Sequence, residues 1–184
     1  MDNIDQDKNV LCGNRIPRDF FITKGKGESD ITVHAGSYHL ALKNADNIHQ
    51  CNIITYSSIL PGIAKEVSVP KNFVYGSVME TIMAVANKEK GETCTAGIIF
   101  GWLYNKKDNK KYGGLVCEYN GSLIKAEAED QLKQSLNELY TNGYAEEYFL
   151  KDIKMTSESF VPQKKYGTAL VALCFINYIY PEFK

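Results

Sequence analysis

Two adjacent serines, Ser57 and Ser58, stand at the end of a strongly β-type run, where their hydroxyls could do chemistry. Residues 51–56 read CNIITY, and Pro61 and Gly62 turn the chain just after the pair. Proline restricts the residue before it, so the segment can be held in a strained conformation. The second hydroxyl can attack the preceding carbonyl and shift the acyl group from nitrogen to oxygen. Elimination of the ester then leaves dehydroalanine, which hydrolyses to a pyruvoyl group and ammonia.

Two other interpretations of the serine pair remain open. Serines at the end of a strand commonly hydrogen-bond to backbone groups of a turn and do nothing else. A Ser–His–Asp hydrolase is also conceivable, but the sequence has no GxSxG elbow to present such a serine.

Glu118 is the second candidate, because its neighbours in the segment LVCEY are apolar or aromatic. Such surroundings desolvate a carboxylate and raise its pKa, which suits a general acid near neutral pH. The alternative is a glutamate on the open face of an edge strand. Asn52 precedes the run into Ser57, and its amide could hold a carboxylate or a carbonyl oxygen.

The elements that must position these residues are mainly β-strands. Apolar runs predict strands over residues 19–23, 51–56, 73–85, 93–104, 112–119, 154–161 and 169–180, of which the last could also be a helix. Helical spacing predicts helices over 37–45 and 125–141, with Ser37 and Ser122 as N-caps. The glycine-rich segment 24–30 is predicted to be a flexible turn, since it lacks the rest of a phosphate-binding motif. Without repeats or a linker, residues 1–184 are predicted to form one α+β domain.

Composition argues against several classes of partner. The chain has 184 residues, 44% of them hydrophobic and 23% charged, as in a soluble globular domain. A net charge of −1 predicts no basic face for nucleic acid, and the apolar stretches are too short to span a membrane. Residues 1–18 are predicted to be a polar arm without a secretory signal. Five cysteines without CxxC spacing predict a reducing cytoplasm rather than disulfides or zinc, and His34, His39 and His49 also lack zinc-like spacing.

Residues 53–61, which read IITYSSILP, resemble the self-processing segment of pyruvoyl-dependent arginine decarboxylases. In that family an asparagine lies just before the strand, and Asn52 fits that position. Residues 114–119, GLVCEY, are similar to the strand that carries the family's acid. Residues 160–175 are similar to its C-terminal segment. The resemblance extends from Phe20 to the end of the chain.

The resemblance implies an enzyme that cuts itself between Ser57 and Ser58. Residues 1–57 would form a small chain and residues 58–184 a large chain. Ser58 would become the pyruvoyl cofactor, with no metal and no pyridoxal phosphate, and its ketone would bind the substrate's amine. Glu118 would protonate the α-carbon after carbon dioxide leaves. The resemblance further implies a four-layer αββα sandwich, assembled as a homotrimer or a dimer of trimers with active sites between subunits.

The substrate-binding residues that the resemblance implies are Asn52, Leu42 and His39, and the last departs from the family. The family's arginine enzymes have an aspartate at the position of His39, where it meets the guanidinium group. A histidine cannot form that bidentate pair. Either Asp30 or Asp46 supplies the charge instead, or the substrate is not arginine.

Three functions are therefore compatible with the sequence. The first is decarboxylation of arginine to agmatine, as in polyamine biosynthesis. The second is the same chemistry on a different amino acid, which His39 suggests. The third is an uncleaved, non-enzymatic trimer that binds a ligand, and the presence of both Ser58 and Glu118 argues against it.

Overall fold

The computed structural model describes residues 13–181, which form nine strands, two α-helices and two short helical turns. In chain order these are β1 (Ile16–Ser29), a π-helical turn (Val33–Tyr38), α1 (His39–Asn44), a 3-10 turn (Ile48–Gln50), β2 (Asn52–Thr55), β3 (Ile59–Pro61), β4 (Lys65–Glu66), β5 (Val78–Glu89), β6 (Cys94–Asn105), β7 (Lys111–Gly121), α2 (Lys125–Gly143), β8 (Tyr148–Phe160) and β9 (Tyr166–Ile179). The predicted polar arm over residues 1–18 lies outside the described residues as far as residue 12, and β1 begins at Ile16.

The strands form two sheets. The first has the order β2-β5-β9-β1-β4, with β9 antiparallel to both neighbours and the two short edge strands parallel to theirs. The second has the order β3-β7-β6-β8, and every neighbouring pair in it is antiparallel. The short strands β2 and β3 are therefore edges of different sheets, although only three residues separate them in the chain.

One apolar core joins the two sheets. It takes every second residue of the long strands, because side chains alternate between the two faces of a strand. The first sheet contributes Phe20, Ile82, Ala84, Ala169, Val171, Leu173 and Phe175, and the second contributes Ala96, Ile98, Phe100, Trp102 and Val116. The ring of Phe20 meets that of Phe100 edge-on, with the centroids 5.9 Å apart, so aromatic contacts lock the sheets together.

Each sheet carries one helix on its other face. Helix α1 packs Ala41 and Leu42 against Leu170 and Cys174 of the first sheet. Helix α2 buries Leu132 and Leu136 against the second sheet in the same way. The two helices thus cover faces that would otherwise be apolar and exposed.

The glycine-rich segment is part of a strand, not the predicted flexible turn. Residues 24–29 lie in β1, where Gly25 pairs with Leu170 and Gly27 with Thr168 of β9. A Cβ atom on Gly25 would lie 2.2 Å from the carbonyl oxygen of Ala41. The glycines are there because α1 and the π-helical turn cross β1 at backbone contact, which leaves no room for a side chain.

The predicted α+β fold is confirmed, but three further local predictions are wrong. Ser37 caps no helix: its Oγ lies in the interior, 2.9 Å from Thr168 Oγ1. Ile124 rather than Ser122 precedes α2, and it offers no capping side chain. Strand β5 begins at Val78 rather than at residue 73. Gly76, two residues before Val78, has a φ of 80°, which interrupts the extended backbone there.

Candidate active site

The serine pair lies where the chain passes from one sheet to the other. Strand β2 ends at Thr55 on the edge of the first sheet, and β3 begins at Ile59 on the edge of the second. Two backbone hydrogen bonds hold the crossing: Tyr56 N–H donates to Thr81 O at 2.6 Å, and Val116 N–H donates to Ser58 O at 3.2 Å. The bond between the serines is therefore anchored on both sides, one sheet to each side.

A tight turn surrounds the carbonyl group between the serines. The N–H of Ile59 donates to the oxygen of Ser57 at 3.0 Å, across Ser58. This donor points at the oxygen that would become negative if a nucleophile attacked the carbonyl carbon. A fixed backbone donor at that place stabilises such charge.

Glu118 faces the serine crossing from the neighbouring strand β7. The hydroxyl of Ser58 donates to Glu118 Oε1 at 3.0 Å, although the residues are 60 positions apart in sequence. Val116, two residues before Glu118, places its side chain in the core between the sheets. Because side chains alternate along a strand, the Glu118 carboxyl lies on the same face, near the edge of the interface between the sheets. Burial raises the pKa of Glu118, and the hydrogen bond from Ser58 partly opposes this rise.

The three residues predicted to bind substrate line a single cavity. Asn52, Leu42 and His39 lie around a space of about 280 Å³ between α1 and the start of β2. The side-chain amide of Asn52 donates to Gly76 O at 2.8 Å, which ties β2 to the loop before β5. Ser58 and Glu118 are not among the described residues that line this cavity. Within one chain, the predicted site therefore forms two separate groups.

His34 and His49 line the same cavity, and sequence analysis missed them. The rings of His39 and His49 meet edge-on at 5.2 Å, and His34 stacks on Tyr38 at 5.8 Å. Among the described residues, His49 Nδ1 is the buried side-chain atom left without a hydrogen-bond partner. Burial lowers the pKa of His49, and the neighbouring basic groups His39 and Lys43 lower it further.

None of the described residues that line this cavity is acidic. The two aspartates considered for a guanidinium group have partners elsewhere. Asp46 accepts a hydrogen bond from Thr23 Oγ1 at 2.6 Å, and Asp30 accepts one from the N–H of Lys165 at 3.1 Å. Within one chain, neither aspartate lines the cavity that contains His39.

The described residues contain neither a cluster of metal-ligating side chains nor a membrane-spanning helix. Between residues 13 and 181, no three His, Cys, Asp or Glu side chains are grouped to hold a metal ion. No helix in this part of the chain is both long enough and apolar enough to cross a membrane.

A family model of pyruvoyl-dependent arginine decarboxylase matches residues 19–180. Among curated relatives of that name, one from Pyrococcus abyssi is 28% identical over 134 residues, which cover 71% of this chain and 79% of the relative. One from Pyrococcus furiosus has the same identity and coverage. One from Thermococcus sibiricus is 24% identical over 165 residues, covering 88% of this chain and 97% of the relative.

The match covers the serine crossing and the strand that carries Glu118. It identifies the protein as an enzymatic decarboxylase. The chain belongs to the pyruvoyl-dependent arginine decarboxylase family.

Proposed function

We propose that this protein is a pyruvoyl-dependent amino-acid decarboxylase that activates itself by cleavage between Ser57 and Ser58 and converts arginine to agmatine and carbon dioxide. The observation that carries the proposal is the contact between Ser58 Oγ and Glu118 Oε1, at 3.0 Å, in a tight crossing between two sheets. The names of the relatives give arginine as the first substrate to test.

The cleavage uses groups that are already in place. Glu118 takes the hydroxyl proton as Ser58 Oγ attacks the carbonyl carbon of Ser57, and a raised pKa makes its carboxylate a stronger base. The Ile59 N–H steadies the charge on the carbonyl oxygen. The C–N bond breaks, the nitrogen takes a proton, and an ester links the two residues. Loss of the Cα proton of residue 58 then expels the Ser57 carboxylate, and water converts the dehydroalanine to a pyruvoyl group and ammonia.

In the mature enzyme, the pyruvoyl ketone supplies an electron sink for decarboxylation. Glu118 lies beside that position, and its raised pKa keeps a proton available for the substrate's α-carbon. Asn52, Leu42 and His39 form the binding cavity, where Leu42 packs on the aliphatic part of the substrate. We expect Asn52 to position the strand that leads into the reacting residue, since its amide is tied to Gly76 O.

We further propose that the protein forms a homotrimer or a dimer of trimers, and that the active site is completed between subunits. We place this enzyme in the cytoplasm and in polyamine biosynthesis. Two features support assembly: the cavity and the Ser58–Glu118 pair are separate in one chain, and apolar side chains are exposed near the crossing. Ile59 on edge strand β3 is 66% exposed and Ile54 on edge strand β2 is 48% exposed, so a neighbouring subunit could cover both. The arrangement helix–sheet–sheet–helix supports the four-layer αββα fold, with residues 1–57 and 58–184 as its two chains.

A second candidate keeps the chemistry but changes the amino acid. The cavity with His39, His34 and His49 has no acidic residue among those described, whereas a guanidinium group is best held by a carboxylate. An amino acid with an uncharged side chain would meet the imidazoles without a desolvated, unpaired charge. Arginine and citrulline, which have nearly the same shape but differ in charge, separate the two candidates.

The test begins with the mass spectrum of the denatured protein. We expect two fragments that meet at Ser57 and Ser58, the larger with a ketone that reacts with phenylhydrazine. Ser58→Ala should stay intact and release no carbon dioxide from arginine, while Ser122→Ala, at an exposed turn, should cleave and act normally. Agmatine formation by intact Ser58→Ala would overturn the proposal. An intact wild-type chain without activity would instead favour the uncleaved binding protein.

A further inference from the structure

Glu80 is a buried acidic residue that the proposed reaction does not use. It lies on β5, next to edge strand β2, and only 3% of its surface is exposed. A carboxylate in such a place is costly unless charged and hydrogen-bonding groups surround it. Its partners therefore indicate why the residue is there.

Two residues supply those partners, and both precede the cleavage site. The guanidinium group of Arg15 contacts both carboxylate oxygens of Glu80, with Nε 3.2 Å from Oε2. The hydroxyl of Tyr56 donates to the same carboxylate. Arg15 also lies over the ring of Tyr178, 5.6 Å from its centroid, which fixes the cation from a second side.

Tyr56 is the residue immediately before Ser57, whose carbonyl would be attacked. Its ring packs against Phe175 in the core, with centroids 5.5 Å apart, and its N–H donates to Thr81 O. The hydrogen bond to Glu80 is thus a third attachment, and it fixes the far end of the side chain. On the other side of the scissile bond, the pairing of β3 with β7 performs the same task.

We propose that Arg15, Glu80 and Tyr56 form a positioning network for self-cleavage, an inference that rests on the proposed function. The attack needs Ser58 Oγ and the Ser57 carbonyl to keep one mutual geometry, and β2 contributes only four residues to hold the upstream half. The network fixes this half against a central region of the sheet. Arg15 and Tyr56 belong to the future small chain and Glu80 to the large one, so the network also spans the cut.

The test is the rate of cleavage of Tyr56→Phe, made by cell-free synthesis with labelled methionine and followed on denaturing gels after a chase. The variant keeps the ring that packs on Phe175 and loses only the hydroxyl. We expect cleavage to slow about tenfold, the usual loss for one hydrogen bond to a charged group. Tyr104→Phe is the matched control, because it removes a tyrosine–carboxylate hydrogen bond between β6 and β8, in which neither β2 nor β3 takes part. It should cleave at the wild-type rate.

A merely structural role would produce a different pattern. Cleavage is measured well below each variant's Tm, so that unfolding does not contribute. For Tyr56→Phe protein that has been cleaved, the rate of carbon dioxide release per ketone should equal that of the wild type. The double variant Tyr56→Phe, Glu80→Gln should cleave no more slowly than the slower of the two single variants. Both substitutions disrupt the same network, so their effects should not add. Cleavage of Tyr56→Phe as fast as Tyr104→Phe would overturn the inference. An uncut wild-type chain would overturn the proposed function instead.

Discussion

The close crossing of β1 by the helical segment yields a prediction about Gly27→Ala. A Cβ atom there would lie 2.3 Å from Ser37 O and 2.6 Å from Ala41 N, whereas ordinary contacts begin at 3.4 Å. Both obstacles are backbone atoms in a closely packed layer, so the segment must shift by roughly 1 Å. His39 and Leu42 lie on the part that moves, and they line the proposed substrate cavity.

The expected cost follows from this overlap. Overpacking of this size destabilises a protein by about 1–3 kcal/mol, and each kcal/mol lowers Tm by about 2–4 °C in a domain of this length. A displacement of roughly 1 Å in a binding wall can reduce kcat/KM about a hundredfold. Cleavage between Ser57 and Ser58 should continue at the wild-type rate, since neither β2 nor β3 contacts Gly27 in this way.

The assay compares Tm, the cleavage rate and kcat/KM for arginine in Gly27→Ala and Gly143→Ala. Gly143 ends α2, and no heavy atom lies within 4 Å of a Cβ placed there. The control should therefore match the wild type in all three quantities. A Gly27→Ala protein with the Tm and kcat/KM of Gly143→Ala would refute the argument that backbone contact with α1 shapes the cavity.

Two further predictions concern the reacting groups and the cavity. Glu118→Gln should slow self-cleavage, and in the fraction that matures it should lower kcat by about 10²–10⁴-fold, the usual contribution of a general acid. Because burial raises the pKa of Glu118 above 4.5, wild-type kcat should fall as pH rises through that raised value, and the variant should lack this limb. A pH profile of kcat per ketone checks both points, and an unchanged limb in Glu118→Gln would assign it to another group. His39→Asp should lower KM for arginine by about tenfold through a new charge-assisted contact, with citrulline as the uncharged control. Equal improvement for both substrates would contradict a charge effect.

Much of the architecture could be predicted from local patterns. The continuous apolar run around Phe100 predicted a buried strand, since strands covered on both faces need no polar alternation, whereas the run around Leu173 left a strand and a helix both open. The glycines at 25 and 27 misled the prediction, because a local pattern cannot distinguish a flexible glycine from one that admits another backbone.

Site residues could be predicted where a single segment of sequence has a distinctive pattern. They could not be predicted where segments distant in sequence come together. Ser58 and Glu118 each stood in a distinctive run, and the fold brings them to hydrogen-bond distance. His49 and Glu80 carried no local signal. His49 is important because the turn after α1 brings its ring against that of His39. Glu80 is important because it accepts a hydrogen bond from Tyr56, which lies 24 positions away in sequence.

The placement of β1 has a consequence for the molecularity of folding. In the first sheet β1 lies between β9 and β4, and both of these neighbours follow the serine pair in sequence. A cut between Ser57 and Ser58 would leave a central strand on one polypeptide and its partners on the other. Within one subunit, the precursor folds as a single molecule, whereas the cut subunit would have to reassemble from two. The thermal midpoint of the cut protein would then depend more steeply on protein concentration than that of the precursor, and dilution after unfolding would keep the two pieces apart.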